Sequence, residues 1–272
     1  MKKTLLIAVM AMATMFAQAQ AWNSTVKLNG TYISSDNVED LATVSGITSG
    51  TISYDYATNT LTLEDVAWKR SGINYFVKFE AYGLPLTVIV KGINELDNNG
   101  QQRSLFFTDA ETAMTIKGES PETSKLICKT GNNLCLNTNS EMTLKDLTIE
   151  CIDDLWSIGG YGDKAMGKKL TIENCNITAH PQYGMFDNLQ EEIDFIDCEL
   201  TKPEGATFDT NKHAIVVDGA LLKDIDVEVT ATKASGIESV RNTKQAQKVV
   251  ENGVIYLLRD GKRFNVLGAE VR

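Results

Sequence analysis

Seven short stretches of the chain repeat one pattern, and that pattern leaves few folds open. LEDVAW from Leu63, LKDLTI from Leu144, IENCNI from Ile172, FIDCEL from Phe195 and LKDIDV from Leu222 all read apolar, any residue, Asp or Asn, apolar, any residue, apolar. VKGINEL from Val90 and IKGESP from Ile116 carry Gly in the third place. The starts lie 27, 26, 28, 28, 23 and 27 residues apart. Alternation with period two marks a strand with one buried face, but every copy breaks it once. In KKLTIENCNITAH, Leu170 and Ile172 alternate with polar residues, Cys175 and Ile177 do the same, and the gap between Ile172 and Cys175 is three residues.

A coil of parallel strands accounts for both the rhythm and the slip. Each turn must return the chain to the same place about 4.8 Å higher. The dropped beat is a corner between two short strands, where one residue bends the chain sharply. Asn, Asp and Gly tolerate a left-handed backbone at least cost, and Asp65, Gly92, Gly118, Asp146, Asn174, Asp197 and Asp224 fill that place. This column of acids is read as backbone chemistry, not as a calcium or substrate site. The inward set is then Leu63, Val66, Trp68; Leu144, Leu147, Ile149; Ile172, Cys175, Ile177; Phe195, Cys198, Leu200; and Leu222, Ile225, Val227. A second apolar segment precedes most copies (INYFVKFE, SLFFTD, NLCLNT, LWSIGG, YGMFDN, HAIVVDG), which gives about three strands per turn. The expected fold is all-β, a single-stranded parallel coil of about seven turns over residues 59–234.

These copies, from roughly residue 59 to 230, resemble the right-handed parallel β-helix family, whose turns have this length and often an Asn at the tight bend. The resemblance implies the architecture; handedness follows from it and from the general right-handed crossover preference.

The ends read differently. Lys2 and Lys3 lead into an apolar run from Leu5 to Phe16 with Ala-x-Ala behind it, the pattern of a secretory signal peptide over residues 1–19, with Ala21 as an alternative cleavage point. Its removal takes the net charge from −10 to about −12. No basic cluster invites nucleic acid, and no later stretch is long and apolar enough for a membrane helix. Residues 22–58 read as an N-terminal β cap that feeds the first turn through a hairpin broken at Asp55 to Asn59. Residues 235–272 read as a polar linker and a hairpin tail, because Asn252-Gly253 and Asp260-Gly261 are strong two-residue turn signals; the result expected is a three-stranded meander. GTISYDYATNTLTL resembles a segment common in exported, repeat-containing surface proteins of gut bacteria, including Bacteroidetes. GIESV followed by hairpins resembles the C-terminal tails of secreted Bacteroidetes proteins, some of which act in surface sorting. Both likenesses imply export, to the cell surface or medium, or to the periplasm.

The chemistry is sparse. A polygalacturonase-like hydrolase would need several aspartates, a Gly-flanked His and an Arg-x-Lys pair. Asp153-Asp154 is an acid pair, but neighbours on a strand point to opposite faces, and a solvated turn explains it better. His180 and His213 sit in other contexts, Arg103 is the only arginine between Arg70 and Arg241, and no G-x-S-x-G elbow occurs. Five cysteines, none in C-x-x-C spacing, with two histidines suit no zinc site. Cys175 and Cys198 hold equivalent places 23 residues apart, within reach of a disulfide if stacked. Leu147 and Ile225 fill the same column, which favours packing.

The segment DDLWSIGGYGDKAMGKK offers Trp156, Tyr161 and Asp163 on a Gly-rich stretch, and Tyr183 follows Trp156 by 27 residues, one turn later. These four are the candidate ligand residues. The first expectation is a non-catalytic exported β-helix that binds a polysaccharide or other envelope component, with no cofactor and no metal. A polysaccharide lyase or glycoside hydrolase, and a purely structural adhesin-like protein, are the alternatives.

Overall fold

The computed structural model describes residues 25–69, 75–80, 85–100, 103–108, 113–131, 134–152, 155–160 and 167–232, and beyond them the backbone of four tail strands. The chain divides into two units, Met1–Ala231 and Thr232–Arg272.

The first unit winds as a β-solenoid. On its first face, Thr60–Lys69, Leu86–Asp97, Met114–Lys117, Glu141–Lys145, Lys169–Glu173 and Asp194–Ile196 stack in parallel, each in register with the one before. Thr60–Lys69 and Leu86–Asp97 run on through the corner into the second face, where Ser124–Lys129, Thr148–Ile152 and Asn176–Ala179 follow in parallel. The third face stacks Val77–Phe79, Phe106–Thr108, Leu134–Thr138 and Trp156–Gly159. It continues through bridges to Gly184 and Asp187 and a bond from Ile215 N–H to the Phe186 carbonyl at 3.0 Å.

The inward columns follow the repeat. Leu63, Leu144, Leu147, Ile149, Ile172, Cys175, Ile177 and Leu222 are fully buried, and Val66, Trp68 and Val227 nearly so. A buried Leu, Ile or Phe contributes about 1.5–3 kcal/mol, and these columns are the main term set against the ordering of the short strands. Outward on the first face, Thr60, Thr87, Thr115, Thr143 and Thr171 form one file in register. Outward on the second face, ion pairs link successive strands: Lys69–Asp97 at 3.4 Å, Lys129–Glu95 at 2.5 Å and Lys125–Glu150 at 2.6 Å.

The corner residues adopt the backbone that the sequence asks for, with one exception. Asp65, Gly92, Asp146, Asn174, Asp197 and Asp224 have φ of 50°, 63°, 53°, 48°, 52° and 51°. Their side chains also link turns: Asp65 Oδ1 accepts the Ile93 N–H at 3.0 Å and Asn174 Nδ2 donates to Asp146 Oδ1 at 2.6 Å. The Asp65 carboxylate explains the glycine next to it, since a Cβ on Gly92 would lie 2.0 Å from Asp65 Oδ1. Gly118 is the exception and is not left-handed. Here the corner is widened into a turn over residues 119–123, closed by Ser124 N–H on the Ser120 carbonyl at 3.0 Å, and Ser124 rather than residue 118 pairs with Gly92. Gly118 is small for another reason: a Cβ there would sit 2.3 Å from the Ser124 Cβ and 2.5 Å from the Asp146 oxygen.

The seventh copy departs from the pattern. Val227–Ala231 does not add a further parallel turn. It runs antiparallel between Asn176–Ala179 and Cys198–Lys202, hydrogen-bonded to both. The strand after Asp197 is thereby held one strand away from its expected neighbour, and Phe195, Leu200 and Ile225 are only partly buried. Leu222 and Val227 reach the core as expected, but by a reversed path.

At the N-terminal side, Ile47–Asp55 pairs antiparallel with Thr60–Lys69, and Val26–Leu28 lies antiparallel on Val77–Phe79. A short helix, Leu41–Ser45, ends at Gly46 with φ 69°; periodicity gave no sign of it. Ser45 accepts the Trp68 indole N–H at 2.8 Å, which ties the helix to the first turn. In the second unit, Gln247–Glu251, Val254–Arg259 and Lys262–Phe264 form the expected meander, and a fourth strand, Glu270–Val271, adds to its edge. Residues 1–24 and the two tail turns lie outside the described residues.

Candidate functional site

Two chain segments, 180–183 and 223–226, run side by side and carry the candidate site. Asp224 N–H donates to the Pro181 carbonyl at 2.8 Å and fixes them to each other. At one end, Tyr183 stacks on Trp156 with ring centroids 5.0 Å apart and planes 30° from parallel, and the Lys223 ammonium lies 5.3 Å from the Tyr183 ring centre. The backbone holds this stack in place. Tyr183 N–H donates to the Leu155 carbonyl at 2.7 Å and Ser157 N–H to the Gly184 carbonyl at 3.2 Å. The stack is a surface feature, with Tyr183 48% exposed. Tyr161 and Asp163, the other two sequence candidates, lie outside the described residues, as do Asp153 and Asp154.

At the other end, a cleft of about 480 Å³ opens where Val227–Ala231 wedges into the second face. Glu150, Thr178, His180, Lys202, Asp226 and Glu228 line it. Two contacts span it: His180 Nδ1 lies 2.8 Å from Asp226 Oδ1, and Lys202 Nζ pairs with Glu228 Oε2 at 2.7 Å. The hydrogen bond that Lys202 donates to Glu228 holds its ammonium above the usual lysine range. Exposed pairs of this kind are weak, so a ligand can exchange into them at little cost. The wall sets three carboxylates, Glu150, Asp226 and Glu228, beside the Lys202 ammonium and the His180 imidazole, and the Trp156 and Tyr183 rings offer flat apolar faces.

The remaining candidates fall elsewhere. The corner acids serve the backbone, as described. His213 and Asp187 are not part of the cleft. Asp187, 7% exposed, stands in register beside Gly159, with its Oδ1 unpartnered, and burial pushes its carboxyl up to about 6. Among the described residues no group of His, Cys, Asp and Glu is arranged to hold a metal, and no helix is long and apolar enough to cross a membrane.

The aromatic pair was legible, because one turn is about 27 residues. The cleft was not: its second wall comes from a strand that reverses direction. The outward places of Glu150 and Thr178 follow from the repeat, but nothing in the spacing brings Asp226 to His180.

Fold and site together define a β-solenoid in which the segments 180–183 and 223–226 carry an aromatic stack at one end and border a polar cleft at the other. No protein-family model, no curated protein and no solved structure matches the chain.

Proposed function

We propose that this chain is an exported right-handed parallel β-helix, built from about seven repeats, that binds a polysaccharide or another cell-envelope component without altering it. The observation that carries the reading is the continuity of the Trp156–Tyr183 stack with the His180–Asp226 cleft across the Pro181–Asp224 bond. Sugar rings present apolar C–H faces to aromatic rings and hydroxyls to paired donors and acceptors. Export rests on the Lys2-Lys3 and Leu5 to Phe16 leader pattern.

The test is a glycan array and cell-wall pull-down with the chain lacking residues 1–19. Trp156→Ala and Tyr183→Ala should each weaken retention on the glycan bound by the parent at least tenfold, with the β-sheet circular dichroism kept. Equal retention by the parent and both variants would dismiss the site.

A polysaccharide lyase or glycoside hydrolase is the second reading, favoured by acids and a histidine converging on one cleft. It requires new reducing ends, or the ultraviolet absorbance of unsaturated products, from a polysaccharide the chain binds, and their loss in His180→Ala.

A further inference from the structure

The core holds a cluster of three thiols, of which Cys151 also borders the cleft. Cys128 and Cys151 stand side by side, in register on the adjoining parallel strands Ser124–Lys129 and Thr148–Ile152. Cys135, on Leu134–Thr138, enters from the third face. Its sulfur lies 3.9 Å from Thr130 Oγ1 and 4.0 Å from the Cys128 carbonyl oxygen, and within thiol hydrogen-bonding reach of both the Cys128 and Cys151 side chains. Cys128 and Cys135 are fully buried and Cys151 is 6% exposed. Three sulfurs that meet across a corner and across two turns are placed for a bond that packing alone does not need: neighbouring columns are filled by Leu126, Leu136 and Ile149.

We propose that Cys135 forms a disulfide with one of its two neighbours, Cys128 or Cys151, and that the third thiol stays reduced beside it. The oxidant is an external disulfide, either a dithiol oxidase or a small disulfide such as oxidised glutathione. The Cys135 thiolate attacks one sulfur of that disulfide and releases one thiol. The neighbouring thiolate then attacks the Cys135 sulfur and releases the second. Two electrons pass from the two cysteines to the oxidant, and their two protons leave with the released thiols. The step precedes closure of the core, because the folded chain buries Cys128 and Cys135 completely. The third thiol can exchange with the bond, so the bridge alternates between one that spans a corner, Cys128–Cys135, and one that ties successive turns, Cys135–Cys151.

Cys175 and Cys198 mark the contrast. Each donates its S–H to a backbone carbonyl, of Glu173 and Ile172, at 3.2 Å, and both remain thiols.

The test refolds the full chain in a glutathione redox buffer, alkylates in acid-quenched denaturant, and reads intact mass and a tryptic map. Lys129 and Lys145 place the three cysteines in separate peptides. Two of the five thiols should resist alkylation, with a mass lower by about 2 Da than the fully reduced chain. The cross-linked peptides should always contain Cys135. Cys128→Ser and Cys151→Ser should each keep one bridge, and Cys135→Ser none. Five alkylated thiols in parent chain that has regained its β-sheet signal would overturn the proposal. So would a bridge in Cys135→Ser, or one joining Cys175 to Cys198. Should Cys135→Ser not fold, the parent's peptide map alone decides.

Discussion

Asp187→Asn should make this protein more stable at neutral pH, and the gain should vanish in acid. The Asp187 side chain is 7% exposed, and its Oδ1 has no partner. Gly159 stands in register beside it, and a Cβ there would lie 2.8 Å from that oxygen, so the neighbouring strand presses close without offering a donor. Burial raises the carboxyl from 3.8 to about 6, against a weaker opposing bond from its own backbone N–H. An acid held above its unfolded value binds its proton longer in the native state. Stability therefore falls as pH rises between about 4 and about 6, and stays low above that window. The gap from 3.8 to about 6 corresponds to about 3 kcal/mol once the group is charged. Asparagine keeps the shape and removes the charge. The assay is urea unfolding of parent and variant, followed by circular dichroism at several pH values from 4 to 8. All other titrating groups are shared and cancel in the difference. The variant should lead by about 3 kcal/mol at pH 8 and by little at pH 4. A difference independent of pH would show that the carboxyl is not shifted on folding, and a parent that gains on the variant as pH rises would show a carboxylate stabilised by a partner; either would refute the reasoning.

Three further outcomes follow from the same structure. Gly159→Ala should cost about 1–3 kcal/mol in urea unfolding, because the new methyl would meet the Asp187 carbonyl oxygen at 2.6 Å. Gly92→Ala should destabilise strongly through both its left-handed backbone and the Asp65 carboxylate, whereas Asp146→Gly, at φ 53°, suits the backbone and should cost only about 1–3 kcal/mol, for the lost hydrogen bond from Asn174 Nδ2. At Glu80, burial would raise the carboxyl, but hydrogen bonds from Lys27, Lys78 and Tyr32 overcome it and hold it at about 2. Its contribution is present above about pH 4.5 and is lost as pH falls towards about 2, so Glu80→Gln should flatten the acid limb of a stability profile in that window.

Much of the solenoid was legible because it is built from a local rule repeated many times. Asp65, Asp146, Asn174, Asp197 and Asp224 each announce a bend within three residues of the apolar side chains they separate. Gly118 shows the limit of that rule: its place in the repeat is correct, but the loop over residues 119–123 takes the bend away from it, and the glycine is kept for a close approach to Ser124. Val227–Ala231 shows a second limit. Its alternation fits either direction, since period two is the same read forwards or backwards, and only the long-range pairing with Asn176–Ala179 and Cys198–Lys202 fixes it. The site divides the same way. Trp156 and Tyr183 meet because one turn separates them, while His180 meets Asp226 only through the reversed strand.

That reversed strand also dictates an order of assembly. A solenoid can grow rung upon rung as the chain leaves the ribosome, each new strand resting on the last. Here Asn176–Ala179 and Cys198–Lys202 must keep a slot open for residues still to come, with hydrogen-bonding groups unmet on both banks. Only the arrival of Val227–Ala231 fills it, as a keystone set last. A chain truncated just before Val227 would therefore present two bare strand borders rather than one shorter column, and should associate with itself through them.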